Sequence, residues 1–456
     1  MLSIGIDIGT TSVCGLAFDL ISRKFDVITS YNKANLISSN TWERIQDPEQ
    51  ILSVVEGILN KFYCKYDRIS GIGITGQMHG ILYTDDNGNA VSPLYTWEDK
   101  RGNQIYREGQ SYARFLSGLT LYQVASGFGL VTHYYNLMNG LLPYGATRLC
   151  TIMDYIVMKL TGKRSPLIDP TNAASLGIFD LTALSFDQKA LLKADINPEI
   201  LPEIGPSGSF VGFYKGDIPV YSAVGDNQAS FLGSVAHINK SILVNIGTGS
   251  QISMYSDEQV KNGSIDIRPF PGGGYLLVGA ALYGGKSLTL LKSFFEQTID
   301  LFVPDCTDKI KFYDSLNLLD RELLSDHSGL KVEPLFNGTR KNPELRGSIN
   351  LISDTNFTPE KLMAGFLKGI CLELANFFDY LPVQKQHVFE YLTGSGNAVR
   401  QNPILREMLE ITFGKKLYIP VHIEEAAFGA CICALKGGGH ISDFHETGDM
   451  IEYISA

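Results

Sequence analysis

A chain of 456 residues with 44% hydrophobic and 19% charged residues is long enough for two or three globular domains and unlike a disordered or fibrous sequence. A formal net charge of −10 without any basic cluster argues against nucleic acid as a partner. No apolar run is long enough to cross a bilayer, and a strand within a few residues of Met1 leaves no room for a signal peptide, so no membrane association and a cytoplasmic location are expected. The seven cysteines (14, 64, 150, 306, 371, 431 and 433) are scattered and odd in number, which fits reduced, buried thiols rather than a disulfide framework; Cys431 and Cys433, the one close pair, have no partner set for zinc and read as core.

In chain order, Ile4–Ile8 is an apolar, β-branched run that breaks at Gly9-Thr10-Thr11-Ser12, a buried strand entering a tight turn. Asp47-Pro48-Glu49 starts a helix whose apolar residues Ile51, Leu52, Val55, Ile58, Leu59 and Phe62 recur at helical spacing. A strand over 69–74 ends at Thr75-Gly76. Residues 95–200 are richer in Tyr, Asn and Gly. A buried strand over 218–224 ends at Gly225-Asp226-Asn227. Residues 242–250 then repeat the opening pattern, Gly247 and Thr248 falling on Gly9 and Thr10, and Asn245 falling on Asp7. Thr358-Pro359-Glu360 caps a long helix with the stripe Leu362, Phe366, Ile370, Leu374 and Phe378. A strand near 388–393 ends at Gly394-Ser395-Gly396, an Ala-rich helix covers about 424–436, and the polar end is expected to be extended or loosely ordered. The pattern predicts two α/β lobes: residues 1–236, residues 237–440, and a tail over 441–456.

Glycine lets a backbone approach a ligand closely, and the N–H and hydroxyl groups that follow can point at phosphate oxygens. One strand-then-Gly-Thr turn is common; two, one per half of the chain, point to a polyphosphate. Only the first copy keeps a carboxylate, Asp7, so only the first is suited to a divalent cation.

The motifs Gly5-Ile-Asp7-Ile-Gly9-Thr10-Thr11-Ser12, Gly76-Gln77-Met78-His79-Gly80, Gly225-Asp226-Asn227 and Gly247-Thr248-Gly249, with the C-terminal glycine loop, resemble in order and spacing the FGGY carbohydrate kinases over nearly the whole chain. The resemblance implies two ribonuclease-H-like (actin-like ATPase) lobes with an interlobe active-site cleft, transfer of the γ-phosphoryl of ATP with Mg²⁺ to a sugar hydroxyl, and a homodimer as a family-level expectation. It makes Asp226 the catalytic base, where the tripeptide alone would read as turn chemistry, and Asp7 the Mg²⁺ residue. Thr10, Thr11 and Ser12 are then donors to the terminal phosphate, and Gly247, Thr248 and Gly249 to the inner ones. Gly284, Gly285, Gly394, Ser395, Gly396 and Asn397 fall where the family contacts nucleotide.

Gln77, Met78 and His79 resemble the sugar-holding segment of xylulose and sedoheptulose kinases, and Trp97-Glu98-Asp99-Lys100-Arg101 that branch's Trp-x-Asp-x-Arg element. An aromatic plane beside carboxylate and guanidinium suits a sugar, although Trp97 alone would read as core and Arg101 alone as an ion pair with Asp99. Asn172 and Asn227 are candidates for sugar hydroxyls. Ser126–Gly129, Met153–Tyr155, Asp169–Ser175 and Thr393–Gly396 lean toward sedoheptulose as acceptor, with D-xylulose the competitor and a non-catalytic sugar or nucleotide sensor the different-class alternative. Two departures stand out. Cys14 occupies a position where many members carry Lys or Arg, and Lys100 one where glycine is frequent.

Overall fold

In a computed structural model, which describes residues 1–260, 265–303, 310–325, 329–339, 342 and 344–454, the opening apolar run forms strand β1, Leu2–Ile8. It pairs antiparallel with β2, Ser12–Asp19, which pairs antiparallel with β3, Phe25–Tyr31. β1 also pairs in parallel with β4, Gly71–Gly76, and the sheet continues through β6, Ile218–Tyr221, to β5, Phe210–Tyr214. A two-residue strand β7, Val224–Gly225, adds to the end of β4. Six of the seven β1 residues are buried because both faces of the strand are covered. On one face Gly15 abuts Ile58 and Phe62 of the helix Pro48–Lys65; on the other Gly5 abuts the helix Glu425–Gly437. The first helix starts as its sequence predicts, Asp47 accepting from the N–H groups of Glu49 and Gln50.

A second sheet repeats this plan. β8, Ser241–Ile246, pairs antiparallel with β9, Ser250–Ser256, and β9 with β10, Tyr275–Ala281. On its other side β8 pairs in parallel with β11, Tyr391–Ser395, and β11 with β12, Leu417–Tyr418. The order β3-β2-β1-β4-β6 thus has its counterpart in β10-β9-β8-β11-β12, the arrangement of two ribonuclease-H-like lobes. The duplicated sequence is a duplicated hairpin at the centre of each sheet. The long helix Pro359–Asp379 buries Leu362, Phe366, Ile370 and Leu374 in the second lobe's core.

The compact units cut the chain differently from the predicted boundaries at 236 and 440. One comprises Met1–Gly233, Arg268–Gly274 and Glu424–Met450; the other comprises Ser234–Ile267, Tyr275–Ile423 and Ile451–Ala456. The Ala-rich last helix therefore belongs to the first lobe. Its fit there rests on small residues: a Cβ on Gly5 would lie 1.8 Å from the Ala427 carbonyl oxygen, and one on Gly73 would lie 1.9 Å from that of Ala430. Cys431 donates its thiol to the Leu16 carbonyl at 3.2 Å. The tail is not loosely ordered over its described part. Phe444 and Met450 are buried in a short 3₁₀ segment, and the Tyr453 hydroxyl donates to the Ser234 carbonyl while accepting from the Ala236 N–H. Cys14, Cys150, Cys371, Cys431 and Cys433 are buried free thiols as expected, Cys64 is exposed, and Cys306 lies outside the described residues. Among the described residues no helix is long and apolar enough to cross a membrane.

The close helix approach is testable by urea denaturation. Gly73→Ala is expected to cost about 1–3 kcal/mol through overpacking. Gly57→Ala, on an exposed helix position with nothing within 4 Å, is expected to stabilise by about 0.5–1 kcal/mol.

Candidate active site

The register of the first sheet aligns the ends of its central strands. Asp7 sits opposite Cys14 on β2 and Thr75 on β4, and Thr75 in turn pairs with Val224 on β7, two residues before Asp226. Chains leaving the carboxyl ends of parallel strands diverge there and leave room for a ligand. Asp226 opens the helix Asp226–Leu232. Three bonds fix the backbone that leads to it: the Thr75 hydroxyl donates to the Val224 carbonyl at 2.9 Å, the Gly225 N–H donates to Thr171 Oγ1 at 2.9 Å, and Asn172 Nδ2 donates to the Ala223 carbonyl at 3.0 Å. Asn172 is fully buried, its Nδ2 bracing the strand that leads to Asp226 while its Oδ1 has no protein partner. Asn227 likewise faces protein: its Nδ2 donates to Asp226 Oδ1 at 2.8 Å and its Oδ1 accepts from Arg268 Nη1 at 2.8 Å.

Burial pushes both carboxyls up. Asp7 is raised to about 7, first by burial and then by the negative charges of Asp226 and Glu424. Asp226 is raised by burial, which its bond to Asn227 and the positive charge of Arg268 partly offset. Burial, reinforced by Glu424, keeps the Cys14 thiol protonated, so that position carries no charge of either sign. Among the described residues no three His, Cys, Asp or Glu side chains gather closely enough to enclose a metal ion. What the site offers a cation is negative charge without a full ligand cage. That suits Mg²⁺, which keeps most of its waters and takes one or two carboxylates plus phosphate oxygens.

The first Gly-Thr turn is held from several sides. The Gly9 N–H donates to the Ser12 carbonyl at 2.9 Å, Asn32 Nδ2 donates to the Gly9 carbonyl at 3.0 Å, and the Asn32 N–H donates to the Thr11 carbonyl at 2.8 Å. Thr11 is exposed, and Thr10 and Ser12 are half-buried. Trp97 is no core residue; 48% of it is exposed, and its indole N–H donates to Thr10 Oγ1 at 3.1 Å. Gly127, with φ of 90°, lets the chain pass the Trp97 carbonyl, which would lie 2.0 Å from a Cβ. Gln77 is buried and bonds Thr10, while Met78 packs against Gly225. His79 has a left-handed backbone, φ 73°, of the strained kind that collects at functional sites. Its Nδ1 lies 2.7 Å from the Ser175 carbonyl, so Nδ1 carries a proton, and its ring stacks on Phe128 at 4.5 Å.

Asp99 and Arg101 differ from expectation. They are 1% and 2% exposed, and Arg101 pairs with Asp99 and Glu43 at 2.8 Å each, donates to Asn136 Oδ1 at 2.6 Å, and stacks over Tyr95 at 4.1 Å. Asp99 Oδ2 also accepts from the Arg44 N–H. The pair forms a buried ion cluster, satisfied by protein partners, that fixes the loop carrying Trp97. Lys100 has φ of −104°, so no glycine is needed there.

In the second lobe the nucleotide-side candidates come together. The turn closes with Gly247 N–H donating to the Gly249 carbonyl at 3.0 Å. The Gly284 and Lys286 N–H groups donate to the Thr248 carbonyl, and that of Gly285 donates to the Gly247 carbonyl. A Cβ on Gly284 would lie 2.4 Å from the Gly249 oxygen, and one on Gly396, at φ 84°, would lie 2.6 Å from the Ile246 oxygen. Asn245 Nδ2 donates to Ser395 Oγ at 2.8 Å, so the residue standing in for the first lobe's aspartate ties the turn to the Gly394–Asn397 loop. A cavity of about 300 Å³ opens at the turn, lined by Asn245, Gly247, Thr248, Gly249, Ser250 and Gln251 among others. Ser250 Oγ is buried with no protein partner, an orphaned polar atom of the kind a ligand satisfies.

Glu424, Arg268, Asn32 and Gln46 were not predicted from sequence. Each comes from a segment with no motif of its own.

Residues 2–233 match the family described as "FGGY family of carbohydrate kinases, N-terminal domain". The chain is 28% identical to a sedoheptulokinase of Mus musculus, over 95% of this chain and 97% of that one. It is 26% identical to a xylulose kinase of Staphylococcus xylosus, over 97% and 92%. The gluconate kinase structure from Lactobacillus acidophilus superposes with a TM-score of 0.84 at 19% identity, over all of this chain and 92% of that one, which speaks to fold alone. With the motifs, the two lobes and this match together, the chain belongs to the FGGY family of carbohydrate kinases, ATP:sugar phosphotransferases that act on an alcohol group.

Proposed function

We propose that this kinase transfers the γ-phosphoryl group of ATP to the primary hydroxyl of a ketose, sedoheptulose being the favoured acceptor and sedoheptulose 7-phosphate the product. The observation that carries the reaction is the placement of Asp226: a carboxyl of raised pKa at a strand end, aimed by Asn227 and backed by the Thr171 and Asn172 braces. Its ionised form takes the proton of the sugar hydroxyl as that oxygen bonds to the γ-phosphorus, the bond from phosphorus to the bridging oxygen breaks, and ADP leaves. Hydroxyl and backbone N–H groups of Thr10, Thr11 and Ser12 serve the terminal phosphate, and the Gly247–Gly249 turn with Gly284, Gly285 and Gly394–Asn397 serves the rest of the nucleotide. Asp7 would hold Mg²⁺, directly or through water, and the cation would supply neutralisation of phosphate charge. On the sugar side the half-exposed Trp97 ring and the His79 segment offer an apolar face beside polar groups.

The choice of sedoheptulose draws on the similarity to the mouse sedoheptulokinase together with the 126–129, 153–155 and 169–175 stretches. D-Xylulose is the second reading, supported by the Gln77-Met78-His79 segment and the Staphylococcus relative.

ADP release measured over a panel of ketoses tests the proposal. Sedoheptulose is expected to give the highest kcat/KM, and Asp226→Ala to lower kcat by about 10²–10⁴-fold. Undiminished ketose-dependent turnover in that variant contradicts the role of the base. Turnover of xylulose with none of sedoheptulose contradicts the acceptor alone.

A second expectation concerns stability. Asp7 titrates near 7 in the folded protein against an ordinary 3.8, so the native state holds its proton more tightly. Ionising it costs stability progressively as pH rises from about 4 to 7. Without Mg²⁺ or nucleotide, Asp7→Asn should melt a few degrees above wild type at pH 8, with the gap closing toward pH 4, while kinase activity is lost. Equal melting curves at pH 8 would show that Asp7 carries no such burden.

A further inference from the structure

The hydroxyl of Thr10, in the phosphate turn, is bonded to residues of the sugar side. Chemistry fixes the direction of every bond around it. An indole N–H can only donate, so Thr10 Oγ1 is the acceptor from Trp97 Nε1 at 3.1 Å. The Thr10 carbonyl can only accept, so the group of Gln46 that meets it at 2.9 Å is Nε2, which also donates to Asn35 Oδ1 at 2.9 Å. Gln46 therefore turns Oε1 toward Gln77, which must supply Nε2, at 2.9 Å. Gln77 is left presenting Oε1 to Thr10, 3.4 Å away, and the one proton of the Thr10 hydroxyl goes there. Gln46 and Gln77 are 0% and 5% exposed, so their amides have little freedom to turn. Through this ring the hydroxyl expected to donate to the terminal phosphate points its proton at a sugar-side residue. The 3.4 Å bond is the longest in the ring and the easiest to replace.

We propose that Thr10 is a positioning residue that couples the ketose pocket to the phosphate turn. Without ketose its hydroxyl proton is committed to Gln77 Oε1. A ketose hydroxyl that donates to Gln77 Oε1 displaces it, and the Thr10 proton swings toward the phosphate. Trp97 continues to donate to a lone pair of the Thr10 oxygen while the proton turns about the Cβ–Oγ1 bond. Ketose and nucleotide then strengthen each other's binding, and phosphoryl transfer to water is held down while the ketose pocket is empty. This rests on the kinase reading above and adds the residue that links its two substrates.

The test is calorimetric. The dissociation constant of sedoheptulose is measured with and without the magnesium complex of a non-hydrolysable ATP analogue, for wild type, Thr10→Val and Thr10→Ser. Wild type is expected to bind the ketose about 5–100-fold more tightly when the analogue is present. Thr10→Val, which keeps the shape and loses the hydroxyl, should reduce that ratio to near one while kcat falls more than KM rises; Thr10→Ser should retain it. With two tryptophans in the chain, the Trp97 indole N–H signal is assignable by NMR, and it should shift on ketose binding in wild type. A ratio unchanged in Thr10→Val, or lost equally in Thr10→Ser, overturns the coupling role while leaving the kinase reading intact. Absence of binding and turnover with every ketose overturns both.

Discussion

Two carboxyls held at strand ends, in surroundings that resist their ionisation, are the constraint on which the first lobe is organised. Asp7 lies near the end of β1 and Asp226 follows β7, the two strands flanking β4 in one sheet, so their places follow from a shared register and not from flexible loops. Burial raises both, and the negative charges of Asp226 and Glu424 add to it at Asp7, which reaches about 7. A protein that gains nothing else from such a pair would replace one of them. A cation and a substrate proton each relieve part of the cost, and so the arrangement is informative about function. The neutral Cys14 beside Glu424 leaves the excess negative charge uncompensated by any side chain at that position. That removes a fixed positive charge and leaves the neutralisation to an exchangeable cation.

The same hairpin is used twice with different chemistry. In the first lobe the turn's partners are Asn32, Gln46, Gln77 and Trp97. In the second, the residue equivalent to Asp7 is Asn245, whose amide is bonded to Ser395, and the turn is packed by Gly284, Gly285 and Gly396. The amide that stands there in place of a carboxylate braces a glycine loop. Glycines matter at these positions for one reason: backbone oxygens lie where a Cβ would be.

Much of this was legible in the sequence because it depends on local pattern. The strand-turn repeats, the Asp47 and Thr358 caps and the 362–374 stripe all formed where periodicity and capping residues put them. Asp226 and the glycine clusters of the second lobe were singled out as candidates by the resemblance of their motifs. What stayed hidden depends on the return of the chain. The Glu425–Gly437 helix joins the first lobe because Gly5 and Gly73 leave grooves for it, a complementarity between residues more than 350 positions apart. Arg268 and Glu424 reach the carboxylates from such returning segments. The protein partners of the candidate sugar residues were hidden as well, because they come from distant segments: Glu43 and Asn136 for the Asp99–Arg101 ion cluster, Ala223 for Asn172 Nδ2, and Arg268 for Asn227.

The claim that the raised carboxyl of Asp7 is held for a cation has a direct readout in protons. Binding of preformed magnesium–ADP, followed by calorimetry near pH 6.5 in buffers of different ionisation enthalpy, counts the protons released as the complex forms. The account predicts net release of a sizeable fraction of a proton by wild type, absent in Asp7→Asn. Identical proton release by the two proteins would contradict it.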